Sequence, residues 1–418
     1  MRVFMGQILF IMAFLVLLDL YVFQAIKAVS ALAGNSIRNW VYIIYWIITL
    51  LSVVTIMAVP YLRSQTGSRA WAIYPLAILI GITIAKLLSV SFFLVDDLRR
   101  LIQWVAAQLW VGNTNAAPRP EKAEAISRST FLSWLGLGIG GTIFTSLLYG
   151  FKNQYNYQLR KVSLSFNNLP AVFRGLKIIH ISDIHSGSFM NKEEVLKGVE
   201  TINAQNPDII LFTGDLVNDR AGEMEPYKVI FSQLKAPMGV FSTLGNHDYG
   251  DYATWSTSDA KTVNLEKLKQ THAEMGWRLL MDESVKLEKN GASIGLIGVQ
   301  NISGKGQFHS YGNLQKAYSD SIDQPFKILM SHDPSHWDAD VIKNYPDIDL
   351  TLSGHTHGMQ FGIEIPGFKW SPVQWMYRQW AGLYETGVQK LYVNRGFGFI
   401  GYPGRVGILP EITLIELS

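Results

Sequence analysis

The chain carries nine histidines, all beyond residue 179, and five of them stand in short runs with acids, Asn and Gly. The runs are Asp183-Ile184-His185, Gly214-Asp215, Gly245-Asn246-His247-Asp248, Ser331-His332 and Gly354-His355-Thr356-His357. Two divalent cations held about 3.5–4 Å apart need carboxylate, imidazole and amide oxygen donors, with one anionic oxygen able to bridge them. Such a pair activates water and neutralises charge developing on a phosphoryl group. The five runs therefore read as the ligands of a two-metal hydrolytic site.

Each run follows a stretch that reads as a strand. Residues 176–182 are apolar and rich in Ile and lead into Asp183 and His185. Residues 208–213 do the same before Asp215, 240–244 before Asn246 and His247, 326–330 before His332, and 348–352 before His355. Strand ends in open α/β folds are where ligands are placed. The glycines beside the polar residues let the backbone turn tightly at the site.

The ordered set D-x-H, G-D, G-N-H-D, H and G-H-x-H is similar to that of the calcineurin-like metallophosphoesterases, over about residues 172–412. The tail, with Asn394-Arg395-Gly396-Phe397-Gly398, Arg405 and Pro410-Glu411-Ile412, resembles a branch of small bacterial phosphoesterases attached to or exported across membranes. The resemblance implies that Asp183, His185 and His357 hold one ion, and that Asn246, His332 and His355 hold a second. It implies Asp215 as the bridge between two divalent ions and a metal-bridging hydroxide as nucleophile, and the mixed N/O donors suit Mn, Fe or Zn. His247 matches the family's proton donor or phosphoryl-steadying position, and Asp248 is expected to orient that imidazole and raise its pKa. His247 and Asp248 are thus the catalytic pair. Two positions depart from the family's pattern. Asn218 stands where many relatives carry an acid, and Met359 follows Gly358 where close relatives have a second Gly.

The other polar candidates have plainer readings. His180, His272 and His309 are read as packing or surface residues, and His336, a helical turn after His332, as one with a minor claim on substrate. Arg395 and Arg405 are weighed equally as phosphate grips or as ordinary structural arginines.

The chain is 48% hydrophobic and only 17% charged, and the apolar excess belongs to its first 150 residues. Four windows there, 3–26, 39–62, 70–95 and 129–151, exceed the roughly 18–20 apolar residues that span a bilayer. The first window is too long for a signal-peptide core of about 7–15 residues and is taken as a membrane helix. Asp19 and Lys86 are ionisable groups inside these windows, and Asp19 is expected to snorkel or take up a proton rather than pair with Lys86. Residues 96–111 read as an amphipathic segment lying at the interface, and 112–120 as a loop.

Residues 1–150 hold eleven basic and five acidic residues, so the rest of the chain must carry the acidic excess that brings the total to +3. That division supports two units, a membrane region at 1–151 and a catalytic domain at 155–418. No polybasic stripe suited to nucleic acid falls in the second. Loop charges, six against seven, do not choose a side of the membrane. The run at 127–132 resembles a twin-arginine export signal lacking its second Arg, which points the catalytic part outward. The expectation is a multi-pass protein of the cell membrane.

Asn191 with Glu194 reads as a helix cap, Asn206-Pro207 as its stop, and Pro226 to Leu234 as a second helix between strands. Periodicity gives α/β. The resemblance refines this to a four-layer α/β/β/α sandwich preceded by an α-helical transmembrane region. The segment 367–384, with Phe368, Trp370, Trp375, Met376, Tyr377, Trp380 and Tyr384, is either a flap meeting lipid or a loop packed on the flank. The exposed stretch 251–270 is placed near His247, shaping the entrance. Together these features describe a metal-dependent phosphoester hydrolase of phosphodiesterase or pyrophosphatase type. Its substrate is expected to be membrane-proximal or lipid-linked, with membrane lipids as surroundings. The alternative is a non-catalytic metal-binding scaffold or sensor.

Overall fold

The structure, a computed structural model, describes residues 2–65, 70–109 and 128–418. The loop at 112–120 and the first residue of the export-like run lie outside the described residues. The chain divides into two compact units, Met1–Tyr149 and Gly150–Ser418.

The first unit is helical: α1 Arg2–Ser30, α2 Asn35–Gln65, α3 Ala70–Leu109 and α4 Arg128–Gly150. Each contains a window long and apolar enough to cross a membrane. Large apolar side chains such as Phe10, Leu17, Trp40, Leu50 and Leu94 face outward, the inverse of a water-soluble bundle. Gly136 and Gly140 of α4 let its backbone approach α3: a Cβ at Gly140 would strike Ser89 Oγ and the Ala85 carbonyl. Ser89 Oγ donates across that contact to the Gly136 carbonyl at 2.9 Å.

Two expectations are corrected here. Asp19 does not snorkel: its carboxylate pairs with Lys86 Nζ and accepts the Tyr45 hydroxyl at 2.8 Å. A short acid on a buried helix face cannot reach water, so a cation on the neighbouring helix neutralises it. Residues from 96 onward do not form a separate interfacial segment but continue α3 as far as Leu109. After Gly81 no Gly or Pro interrupts the helix, and Arg99 grips Asp96 at 2.8 Å one turn away. Residues 110 and 111 lie outside the described residues.

The second unit is built on two six-stranded sheets. One contains β1 Gln158–Leu164, β2 Lys177–Ile181, β3 Ile209–Phe212, β4 Val240–Ser242, β5 Arg278–Leu279 and β14 Glu411–Leu417, in the order β1-β14-β2-β3-β4-β5. The other contains β6 Glu283–Lys289, β7 Ala292–Gly298, β8 Lys327–Met330, β9 Leu350–Ser353, β12 Gly382–Thr386 and β13 Gln389–Val393, in the order β12-β13-β9-β8-β7-β6. A hairpin, β10 Ile363–Ile365 and β11 Phe368–Trp370, stands apart.

Strands β2, β3, β4, β8 and β9 are buried on both faces, which is why β3 reads Ile-Ile-Leu-Phe and β8 ends Ile-Leu-Met instead of alternating. Ile178, Ile209 and Leu211 meet Leu296, Ile328, Met330 and Leu350 between the sheets. The outer face of the first sheet is covered by α5 Lys192–Asn203, α6 Lys228–Phe231 and α7 Ser258–Glu274 through Val195, Val199, Phe231 and Leu268. The outer face of the second carries α8 Leu314–Ser319 and the turn at Trp337–Val341 leading to α9 Ile342–Asn344. These are the four layers of an α/β/β/α sandwich. Asn191 caps α5 by accepting the Glu194 amide at 3.1 Å. The helix expected over Pro226–Leu234 is a single turn, α6, Lys228–Phe231.

His272 of α7 is fully buried against Phe212 and Trp277, and neither ring nitrogen has a hydrogen-bond partner among the described residues. Burial pushes its pKa down to about 3. The folded state therefore holds it neutral, while the unfolded chain protonates it below about 6.5. Its contribution is complete above that pH and is lost as pH falls toward 3, at up to about 1.4 kcal/mol per pH unit. His272→Leu is expected to flatten the acid limb of stability by that slope. Denaturation midpoints of the two proteins at pH 7 and pH 5 measure it, and parallel losses would refute the assignment.

Candidate metal centre

The sandwich brings the five runs to one end. Asp183 and His185 leave β2, Asp215 leaves β3, Asn246 and His247 leave β4, His332 leaves β8, and His355 and His357 leave β9. The chain must then turn within one or two residues. Asp183, His185, Asp215, His355 and His357 all have φ between 48° and 72°, half of the ten non-glycine residues with positive φ among those described. L-residues visit that region at a cost of about 1–3 kcal/mol each, and such strain collects at functional sites. Two glycines are required by close approach: a Cβ at Gly245 would strike the Asp215 carboxylate, and one at Gly354 the Asp183 carboxylate.

Two donor groups result, Asp183 with His185 and His357, and Asp215 with His332 and His355, each with ligand atoms within 4.8 Å of one another. His357 Nε2 is 3.3 Å from Asp183 Oδ1, and Asp215 Oδ2 lies 3.1 Å from His332 Nε2 and 3.5 Å from His185 Nε2. Asp215 thus faces imidazoles of both groups. Asn246 Oδ1 is 2.8 Å from His355 Nδ1, because its Nδ2 is committed to the Tyr252 hydroxyl at 2.9 Å. Both nitrogens of His185 and Nε2 of His357 are buried without a hydrogen-bond partner among the described residues. Orphaned imidazole nitrogens beside two buried carboxylates fit a divalent cation's demand for N and O donors.

The electrostatics agree. Burial holds His185, His355 and His357 below their ordinary pKa, so their lone pairs are available. Burial opposes protonation of His332 too, but the charge and hydrogen bond of Asp215, joined by the charge of Asp183, outweigh it and raise the imidazole to about 10. Asp183 and Asp215 stay ionised: burial opposes this, but His357 and His332, respectively, are the leading groups that lower their pKa. Paired buried carboxylates that recruit a proton onto a neighbouring imidazole form a site in need of positive charge.

Each unit of the chain matches a known family. Residues 1–154 match the family described as probable calcineurin-like phosphoesterase, transmembrane domain, and residues 176–359 match the calcineurin-like phosphoesterase family. An uncharacterized metallophosphoesterase of Bacillus subtilis (strain 168), YkuE, is 32% identical over 254 residues, covering 60% of this chain and 82% of that protein. The chain belongs to the calcineurin-like metallophosphoesterase family. A transmembrane protein with metallophosphoesterase domain from Danio rerio is 28% identical over 263 residues, 62% of this chain. The match spans only 56% of that relative's length. Among solved structures, TT1561 of Thermus thermophilus overlaps 56% of this chain and 91% of its own at 16% identity, with a TM-score of 0.33. The family matches make the chain a membrane protein of a metallophosphoesterase family.

Around the two donor groups several expectations change. Asp248 does not touch the His247 imidazole. Its Oδ2 accepts the amides of Asp215 and Gly245, both at 2.8 Å, and its Oδ1 those of Leu216 at 2.8 Å and Val217 at 3.3 Å. It is fully buried, and desolvation followed by the Asp215 charge pushes it up to about 7 against the pull of those amides. Asp248 is therefore a positioning residue that ties the β3 and β4 loops together. His247 is oriented instead by the Asn218 carbonyl, which accepts its Nδ1–H at 2.8 Å. That leaves Nε2 for chemistry, with the Tyr252 ring 4.6 Å away between centroids.

Arg395 and Arg405 are structural. Arg395 is buried between Glu364 and Glu411, and Arg405 spends its guanidinium on the carbonyls of His357, Arg395, Gly396 and Gly398. His336 is spent on Ser331 Oγ at 2.8 Å, His180 on Thr213 Oγ1 at 2.9 Å, and His309 is exposed. The aromatic segment divides: Tyr377 and Trp380 pack inward, while Phe368 and Trp375 stay exposed. Sequence reading missed the role of Tyr377, whose hydroxyl sits 2.7 Å from His355 Nε2 and 3.5 Å from Asp333, and missed Phe308, edge-on to the same imidazole. The aromatic run drew attention to Tyr377, but nothing in it singled out one hydroxyl.

Proposed function

We propose that the chain is a dinuclear phosphodiesterase or pyrophosphatase acting on a lipid-linked phosphoester at the cell membrane. One observation carries the reading: two donor groups share Asp215 as the carboxylate that faces both. Asp183, His185 and His357 would hold one ion, and Asn246, His332 and His355 the other, with Asp215 between them. The mixed N/O set suits Mn, Fe or Zn. Bound there, divalent ions neutralise phosphoryl charge and bring the pKa of water toward neutrality.

The protein's own groups supply the rest. His247, with Nδ1 held by the Asn218 carbonyl, presents Nε2 to the leaving oxygen as proton donor. Asp248 fixes the loops that carry Asp215 and Asn246. Tyr377 and Thr213 hold the rings of His355 and His332 in register by hydrogen bonds of 2.7 and 2.8 Å, the outer support that metal-site imidazoles need. The membrane helices favour a substrate that lives in or at the bilayer.

The purified full chain supplied with Mn²⁺ is expected to hydrolyse an aryl phosphodiester. His247→Ala is expected to lower kcat by about 10²–10³-fold with metal content unchanged. Inactivity of the folded, metal-loaded wild type across phosphoesters would transfer the case to a metal-binding scaffold or sensor.

A further inference from the structure

The β10–β11 hairpin exposes a continuous apolar face. Its register pairs Ile363 with Trp370, Glu364 with Lys369 and Ile365 with Phe368. Side chains alternate along a strand, so Glu364 and Lys369 share one face and the four apolar residues share the other. The charged face is fastened to the domain: Glu364 meets Arg395 and Arg160, each at 2.7 Å, and Lys369 Nζ donates to the Ala381 carbonyl at 2.5 Å. The apolar face meets nothing comparable. Ile363, Ile365 and Phe368 are 50%, 59% and 52% exposed, and Trp375, 75% exposed, stands 6.1 Å from Trp370 ring to ring. An isolated two-stranded hairpin is marginal in water. Here ion pairs hold one in place with its oily side outward, and clustered exposure of this kind marks an interaction surface.

The root of the hairpin identifies the partner. Phe361 bridges to Val406, and the Gly362 amide donates to the Val406 carbonyl at 2.8 Å. The adjacent Arg405 amide donates to the Gly150 carbonyl at 3.0 Å. Gly150 is the last residue of α4, within the apolar window Thr130–Asn153. The root of the hairpin is thus tied, through Val406 and Arg405, to Gly150, the residue at which the chain enters the second unit from its last apolar helix. The exposed Trp375 beside the hairpin and the exposed cations Lys152 and Arg378 suit the headgroup zone of an anionic bilayer.

We propose that the outer face of β10–β11, with Trp375 and Met376, docks into the bilayer interface and holds the phosphoesterase domain against the membrane. None of its residues is among the candidate metal ligands, and its test requires no turnover. The chain has no cysteine, so Phe368→Cys and Trp375→Cys each accept a single nitroxide label in the full-length protein, reconstituted in phosphatidylcholine–phosphatidylglycerol vesicles. Power-saturation measurements are expected to show several-fold less collision with a water-soluble nickel chelate, and more with oxygen, than labels at Val229→Cys and Val263→Cys on α6 and α7. Labels at 368 and 375 as accessible to nickel as those controls would overturn the proposal. So would shielding from both reagents in detergent and vesicles alike, which would assign the face to a second copy of the chain.

Discussion

Asp215→Asn is expected to lower phosphodiester turnover by about 10⁴-fold, equivalent to about 5.4 kcal/mol of transition-state stabilisation, and to empty both ion sites together. The geometry sets this residue apart from every other ligand candidate. Asp215 Oδ2 faces His332 and His185, one from each donor group, while Oδ1 accepts the His247 amide at 2.8 Å. The amide side chain keeps the shape but removes the negative charge and half the acceptor capacity on which both groups converge. Asp183→Asn supplies the contrast, because Asp183 faces His357 and His185 but accepts only the His355 backbone from the second group, at 3.0 Å. Metal analysis of dialysed protein should find about two ions per wild-type chain, one in Asp183→Asn and none in Asp215→Asn. Equal losses in the two variants would remove the case for a shared carboxylate.

The strand ends and their polar residues were legible because a strand buried on both faces writes a continuous apolar run, and its end is marked by a change to Asp, His, Asn or Gly. Six side chains, Asp183, His185, Asp215, His332, His355 and His357, were found this way, and the structure gathers them into the two donor groups. The second layer was not legible. His247 is oriented by the Asn218 carbonyl and His332 by that of Thr213, and a backbone acceptor leaves no mark on residue type. Asp19 and Lys86, 67 residues apart, were both visible as intramembrane charges. Their pairing depends on how α1 and α3 rotate against each other, which composition does not encode. Arg395 and Arg405 had the chemistry of phosphate grips, and only burial against Glu364, Glu411 and four carbonyls reveals that it is already used.

Asp248 tests the same lesson most sharply, since adjacency to His247 suggested a relay and the fold uses the carboxylate as a clamp. Its two oxygens accept four amides, from Gly245 in one loop and Asp215, Leu216 and Val217 in the other. In Asp248→Asn one oxygen remains, and the side-chain NH₂ is turned toward two backbone N–H donors in a fully buried setting. Each buried donor left unsatisfied costs about 1–3 kcal/mol, so the variant is expected to lose about 3 kcal/mol of stability. Its metal affinity should fall as well, because Asp215 and Asn246 ride on the clamped loops. A relay would give a different signature: full metal content, an unchanged melt, and a kcat profile whose His247-dependent limb moves along the pH axis. A clamp predicts that excess metal restores much of the activity with that limb in place. Calorimetry, metal titration and pH–rate profiles on one preparation separate the two, and an Asp248→Asn protein as stable as wild type with a displaced limb would return the residue to the proton path.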